Sequence, residues 1–159
     1  MDTEHRYEVA VTWTGNQGTG TSAYRAYSRS YDIGSPVDGK PLIPGTSEPA
    51  YRGDAARWNP EELLVAALSG CHELWYLHLC AVNGVVVTAY EDRAEGWMPV
   101  DAKGKGGFRR VLLRPRVTIT AGSNPDRARA LHADAHEMCN VANSVNFAVE
   151  HEPEIVVEG

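Results

Sequence analysis

The chain has 159 residues, 43% of them hydrophobic and 23% charged, the balance of a globular domain rather than a disordered or fibrous one. Fifteen Lys and Arg against twenty-one Asp and Glu leave a formal charge of −6, which argues against nucleic acid as a partner, because phosphate binders cluster their cations. No basic segment followed by an apolar one opens the chain, and no uninterrupted apolar run reaches about 18 residues, so the expectation is a cytoplasmic protein with no membrane partner.

In chain order, Tyr7, Val9, Val11 and Trp13 alternate with Glu8, Ala10 and Thr12, the period of a strand with one face covered. Thr14 to Gly20 supplies a turn, and Thr21 to Ile33 is expected to pair back as the second strand of a hairpin. Gly34 to Trp58 is rich in Gly and Pro and without periodicity, a long loop. Asn59-Pro60-Glu61-Glu62 predicts a helix start, with Asn as cap, Pro at the first helical position and acids against the positive end of the dipole. That helix runs to about Val82, where Asn83-Gly84 ends it. Val85 to Tyr90 reads as a buried strand, and Phe108 to Thr120 as another, bent near Pro115. A second helix starts at Ser123 or Asn124 and reaches about Ser144, and Phe147 to Val157 closes the chain as a strand with Pro153 at an edge or bulge. This order predicts a single α+β domain over 1–159, two helices packed on mainly antiparallel sheets.

Three cysteines, odd in number and not grouped, do not form a secreted disulfide framework, and stand as core thiols or as redox and nucleophilic groups. Cys71 falls mid-helix, with Leu64, Ala67, Leu68, Leu74, Trp75 and His78 at helical spacings. Cys139 falls in the second helix beside an apolar set. The two meet if the helices pack together, although spacing alone leaves core thiols as the plain alternative. Cys80 is nine residues from Cys71, about 180° round the helix and about 13.5 Å along it, beyond disulfide reach, and reads as packing. His132 and His136 share a helix face with Cys139 a turn beyond, but no third ligand is fixed by spacing, so neither metal nor cofactor is expected. The usual dinucleotide and serine-hydrolase motifs are absent from the sequence.

The stretch Trp58-Asn-Pro-Glu-Glu-Leu-Leu-Val-Ala-Ala-Leu-Ser-Gly-Cys71-His, followed by Ala135-His-Glu-Met-Cys139-Asn-Val-Ala-Asn-Ser144, resembles the OsmC/Ohr family of thiol-dependent peroxidases. The opening Val11-Thr-Trp13-Thr-Gly15 strand and the order of elements extend the resemblance over nearly the whole chain. It implies an intertwined homodimer that reduces organic hydroperoxides to alcohols, regenerated by a dithiol reductant, in many members a lipoylated one. Residue by residue it implies Cys71 as the peroxidatic cysteine and Cys139 as the resolving one. Glu61 would be the helix-start carboxylate and Arg52 the active-site arginine, with Arg57 in reserve. Two places depart from the family pattern: Asn140 follows the second cysteine where proline is common, and His72 to His78 is bulky and aromatic.

Chemistry fits these roles. A thiolate attacks a peroxide, a guanidinium stabilises the thiolate without losing its own charge, and a carboxylate can orient the guanidinium. The resulting sulfenic acid condenses with a second thiol. On a continuous helix Glu61 lies about 15 Å along the axis from Cys71, too far for one arginine to link both easily. Glu61 and Arg52 are therefore expected to serve the partner's cysteine in composite sites. The alternatives are a non-catalytic apolar-ligand binder or redox sensor of the same fold, and a metal hydrolase built on His132, His136 and Cys139.

Overall fold

The computed structural model describes residues 3–159, and the chain falls into two compact units, Met1–Leu63 and Leu64–Gly159. In the first, β1 (Ala10–Trp13), β2 (Tyr31–Gly34) and β3 (Ile43–Gly45) form an antiparallel sheet in the order β1-β2-β3. The expected hairpin is there, but its second strand begins at Tyr31, not near Thr21. Arg29 explains the delay: it donates to the carbonyls of Tyr24 and Tyr27 and lies 4.5 Å and 4.1 Å over their rings. Those carbonyls satisfy a side chain in place of a strand neighbour. The segment read as a loop contributes β3 and a 3₁₀ turn, Pro49–Tyr51. β3 pairs through Gly45, where a side-chain carbon would fall 2.1 Å from the ring of Tyr31. Among the described residues of this unit only Gly15, Gly45, Thr46 and Asn59 are buried, while Val9, Val11 and Trp13 are exposed.

Helix α1 (Pro60–Val82) starts where the sequence places it. The Asn59 side chain accepts from the Glu62 amide at 2.8 Å, and the Glu62 carboxylate accepts from the Asn59 amide at 3.1 Å. The reciprocal pair is a capping box. Gly84, at φ 73°, ends the helix.

In the second unit, β4 (Val87–Asp92), β7 (Pro115–Ile119) and β9 (Glu154–Val157) form one sheet. A second sheet holds β5 (Glu95–Trp97), β6 (Arg110–Leu113) and β8 (Ala148–His151). Each strand of one sheet continues into a strand of the other across a bend of one or two residues: Arg93-Ala94, Arg114, and Glu152-Pro153. The bend near Pro115 is the one expected from sequence, while Pro153, expected at an edge or bulge of one closing strand, lies in the break between β8 and β9. Asp92 fixes the turn, accepting the Arg114 amide at 2.7 Å and the Ser69 hydroxyl at 2.5 Å. β8 and β9 pair parallel to β6 and β7, and the other four strand pairings are antiparallel, so the sheets are mainly antiparallel as expected. The α+β class stands.

Helix α2 (Pro125–Met138) is capped by Asn124, whose side chain accepts from the amides of Asp126 and Arg127. Asn124→Ala is expected to cost about 1 kcal/mol, measured as a lower denaturant midpoint at unchanged m-value. The helix stops at Met138, six residues before the expected end, because Cys139 is extended (φ −71°, ψ 103°); a 3₁₀ turn at Ala142–Ser144 follows.

Two apolar clusters stabilise this unit. Leu68, Val111 and Leu113 form one, with Phe108 and Phe147 at its edge; Tyr76, Cys80, Val117, Ile119, Leu131 and Ala135 lie in the other.

Candidate active site

The buried stripe of α1 is Leu68, His72, Tyr76 and Cys80, one residue every four. Cys71 flanks this stripe and is half-buried. The sequence set Cys71 among Leu74 and His78 as a core face, but both of those are exposed, Leu74 at 70%. The helix turns its His72 side inward. Cys139 is 1% exposed and stands at the C-cap of α2, not within the helix.

Cys71 and Cys139 are free thiols, near enough for Cys71 to act on the ionisation of Cys139, and the Ala142 amide donates to Cys139 Sγ at 3.4 Å. Burial, and next the neighbouring Cys71, push the Cys139 thiol up to about 11, so that it is protonated at neutral pH. Cys80 lies in the apolar cluster with Tyr76 and Val117, its thiol also pushed up by burial.

Arg52, Arg57 and Glu61 belong to the first unit. Arg57 is fully engaged there, donating to the Gly45 and Tyr31 carbonyls and pairing with Asp32 at 2.6 Å. It pins the strands. Arg52 is the one non-glycine residue at positive φ (67°) among those described, and its guanidinium makes no hydrogen bond or ion pair with them; the Tyr24 ring centre is 6.0 Å away. Glu61 lies in the first turn of α1 beside Glu62. Glu62 closes the capping box, whereas Glu61 has no hydrogen bond among the described residues.

A model of OsmC-like proteins matches residues 53–154. The chain belongs to the OsmC-like family. The match contains Glu61, Cys71 and Cys139, and stops one residue short of Arg52. A Vibrio cholerae OsmC-like protein of unknown function is 32% identical, with a TM-score of 0.83 over 94% of this chain and 99% of that one. A Legionella pneumophila organic hydroperoxide resistance protein OsmC, described as a predicted redox protein, is 20% identical, with a TM-score of 0.65 over 96% and 99%. The organic hydroperoxide resistance protein OhrB of Bacillus subtilis is also 20% identical, with a TM-score of 0.60 over 94% and 98%. These last two likenesses are of fold. No curated protein matches the chain.

In this OsmC-like chain the sequence reading missed one cluster beside the thiols. His72 Nε2 of α1 lies 3.0 Å from His132 Nδ1 of α2, and the ring of His151, from β8, lies 5.6 Å and 6.1 Å from theirs. His136 is 5.8 Å from His151. The signal was present in the four-residue spacing from Leu68 to Cys80, which turns His72 inward. The pairing with His132 is tertiary. Among the described residues no three His, Cys, Asp or Glu side chains are arranged to hold a metal ion.

Proposed function

We propose that this OsmC-like protein is a thiol peroxidase that reduces organic hydroperoxides to alcohols, acting in the cytoplasm. The observation that supports this reading is the nearness of Cys71 to the buried Cys139 thiol. The Cys71 thiolate attacks the outer peroxide oxygen; the O–O bond breaks, the alkoxide takes a proton and leaves as alcohol, and Cys71 becomes a sulfenic acid. The Cys139 thiol then attacks that sulfur, releasing water and leaving a Cys71–Cys139 disulfide. A dithiol, of lipoyl type in this proposal, reduces the bridge by exchange and is itself oxidised to a cyclic disulfide.

Arg52 is assigned to stabilise the thiolate and Glu61 to orient Arg52, each serving Cys71 of the partner in a homodimer with composite sites. Two features support a dimer. Helix α1 carries exposed apolar residues, Leu74 and Val82, opposite its buried stripe, and a helix apolar all round is normally covered. Among its described residues the first unit has exposed apolar strand residues and no buried apolar residue larger than glycine.

The test is to mix reduced protein with one equivalent of cumene hydroperoxide, titrate free thiols and map disulfides by mass spectrometry. Two of the three thiols should disappear into a Cys71–Cys139 bridge; unchanged thiols in folded protein would sink the reading. In Cys139→Ser the first oxidation should proceed and stop, leaving a sulfenic acid on Cys71 that a dione probe captures and that excess peroxide over-oxidises. A Cys139→Ser protein that turns over with dithiol at the wild-type rate would remove Cys139 from the mechanism.

A further inference from the structure

We propose that the His72–His132 hydrogen bond is a strut that holds the helix of Cys71 and the helix of Cys139 at thiol-pairing distance, and that it does so only while both imidazoles are neutral. The proposal rests on the thiol-pair reading above and gives that site a pH-dependent positioning element.

Placement comes first. His72 follows Cys71 on α1, and His132 is seven residues before Cys139 on α2, so each strut residue is tied through helical backbone to one thiol. The two rings are 8° from parallel with centres 5.3 Å apart, while the facing nitrogens are 3.0 Å apart. They therefore meet edge to edge in nearly one plane, the geometry of an N–H···N bond. Tyr76 braces the pair: its ring covers His132 at 3.8 Å and 11°, and its hydroxyl donates to the Ala128 carbonyl of α2 at 3.0 Å. His72 and His132 are 1% and 0% exposed.

Chemistry sets the protonation requirement. Each neutral imidazole carries one N–H, so one ring donates across the contact and the other accepts. The outward nitrogens, His72 Nδ1 and His132 Nε2, are buried without a partner. A first added proton places an unbalanced charge in this apolar setting, and a second sets donor against donor across the 3.0 Å contact. The ionisable groups around the pair offer no compensation. They are Tyr76 from α1, His136 and Arg129 from α2, His151 from β8, and Tyr90 of β4 behind Tyr76, with no acid among them. Burial first, and then the neighbouring imidazoles, lower His72 to about 4 and His132 to about 3, and His151 also moves down. Once the helices part, each imidazole returns toward its ordinary value of about 6.5, so acid favours the parted arrangement.

The test measures the equilibrium between the reduced protein and glutathione disulfide: two protein thiols and one glutathione disulfide give one protein disulfide and two glutathione thiols. Where a protein thiol is ionised the exchange consumes a proton, which by itself raises the constant as pH falls, so a fall toward acid reports the helices and not the thiols. For the wild type, the equilibrium constant for the Cys71–Cys139 bridge should hold level from about pH 7.5 to 5.5 and fall about ten-fold or more by about pH 3.5, where the paired imidazoles begin to take protons, with circular dichroism confirming that the protein stays folded. In the double variant His72→Gln and His132→Gln, two amides can pair across the same gap without titrating, and the profile should flatten to within about two-fold. A flat wild-type profile, or an equal fall in the glutamine variant, overturns the strut and leaves the peroxidase reading intact. Failure to form the bridge even at pH 7.5 overturns both.

Should the double variant not fold, imidazole ¹⁵N spectra of the wild type decide. The expected signal is one N–H shared between two ring nitrogens at pH 7.5, lost in step with thiol pairing. Independent titration of the two rings near pH 6.5, with pairing unchanged, overturns the proposal.

Discussion

Cys71→Ser is expected to lower organic-hydroperoxide turnover by at least about a hundred-fold while leaving the fold unchanged, since a serine hydroxyl is not ionised at neutral pH and lacks the nucleophilicity of a thiolate. Position makes this variant informative. Cys71 is half-buried at the edge of the inward stripe rather than in it, so exchange of sulfur for oxygen disturbs little packing, and a loss of activity reports on chemistry. Cys80→Ser is the matching control. It places a hydroxyl in the apolar cluster and should cost stability while sparing turnover at temperatures where the variant is folded. The assay is a coupled dithiol oxidation with an organic hydroperoxide, alongside a urea titration of each variant. A Cys71→Ser protein retaining turnover, or a Cys80→Ser protein losing it with the fold intact, would require the roles of these cysteines to be reassigned.

The second large effect is acid destabilisation. His72 and His132 have folded values lowered to about 4 and about 3, from 6.5. A group lowered in this way is neutral in the native state while the unfolded chain already takes protons. Stability from these two sites is therefore full above about pH 7, declines as pH falls through about 6.5, and levels off only when the native state itself begins to bind protons near pH 4 to 3. Between these limits the slope approaches two protons, about 2.7 kcal/mol per pH unit. Urea midpoints at pH 7.5, 6.0 and 5.0 should descend at constant m-value, more steeply below 6.0. Midpoints level from pH 7.5 to 5.0 would show that the two imidazoles are charged in the native state or exposed to water.

Much of the fold was legible because its signals are local. Asn59, Pro60 and Glu62 fix the start of α1 through contacts three residues apart, and Asn124 does the same for α2. Pro115 announced a strand bend and Pro153 an irregularity in the closing strand, since proline cannot donate in a ladder. What was missed depends on distant partners. Tyr24 and Tyr27 look like strand residues until Arg29 takes their carbonyls. The parallel pairing of the closing strand depends on which neighbour β6 and β7 accept. At the site, Cys71 and Cys139 were singled out by their flanking motifs, and Cys71 lies near enough to Cys139 to act on its ionisation. The preference for Arg52 over Arg57 came from the resemblance, and in the structure Arg57 is tied to Asp32, Tyr31 and Gly45. His72 carries no motif; its meaning comes from His132, sixty residues away.

The early end of α2 gives the two thiols different mechanical surroundings. Cys71 is anchored within a 23-residue helix, where displacing its backbone would strain hydrogen bonds on both sides. Cys139 hangs from an extended cap followed by a short 3₁₀ turn, and small rotations there leave the 14 residues of α2 undisturbed. A disulfide needs its sulfurs at about 2.05 Å, closer than any hydrogen-bonded pair of thiols. That last approach falls to the compliant side. In the proposed cycle Cys71 is a fixed anvil and Cys139 a sprung latch, with the bending on closing and reopening the bridge confined to the few residues after Met138.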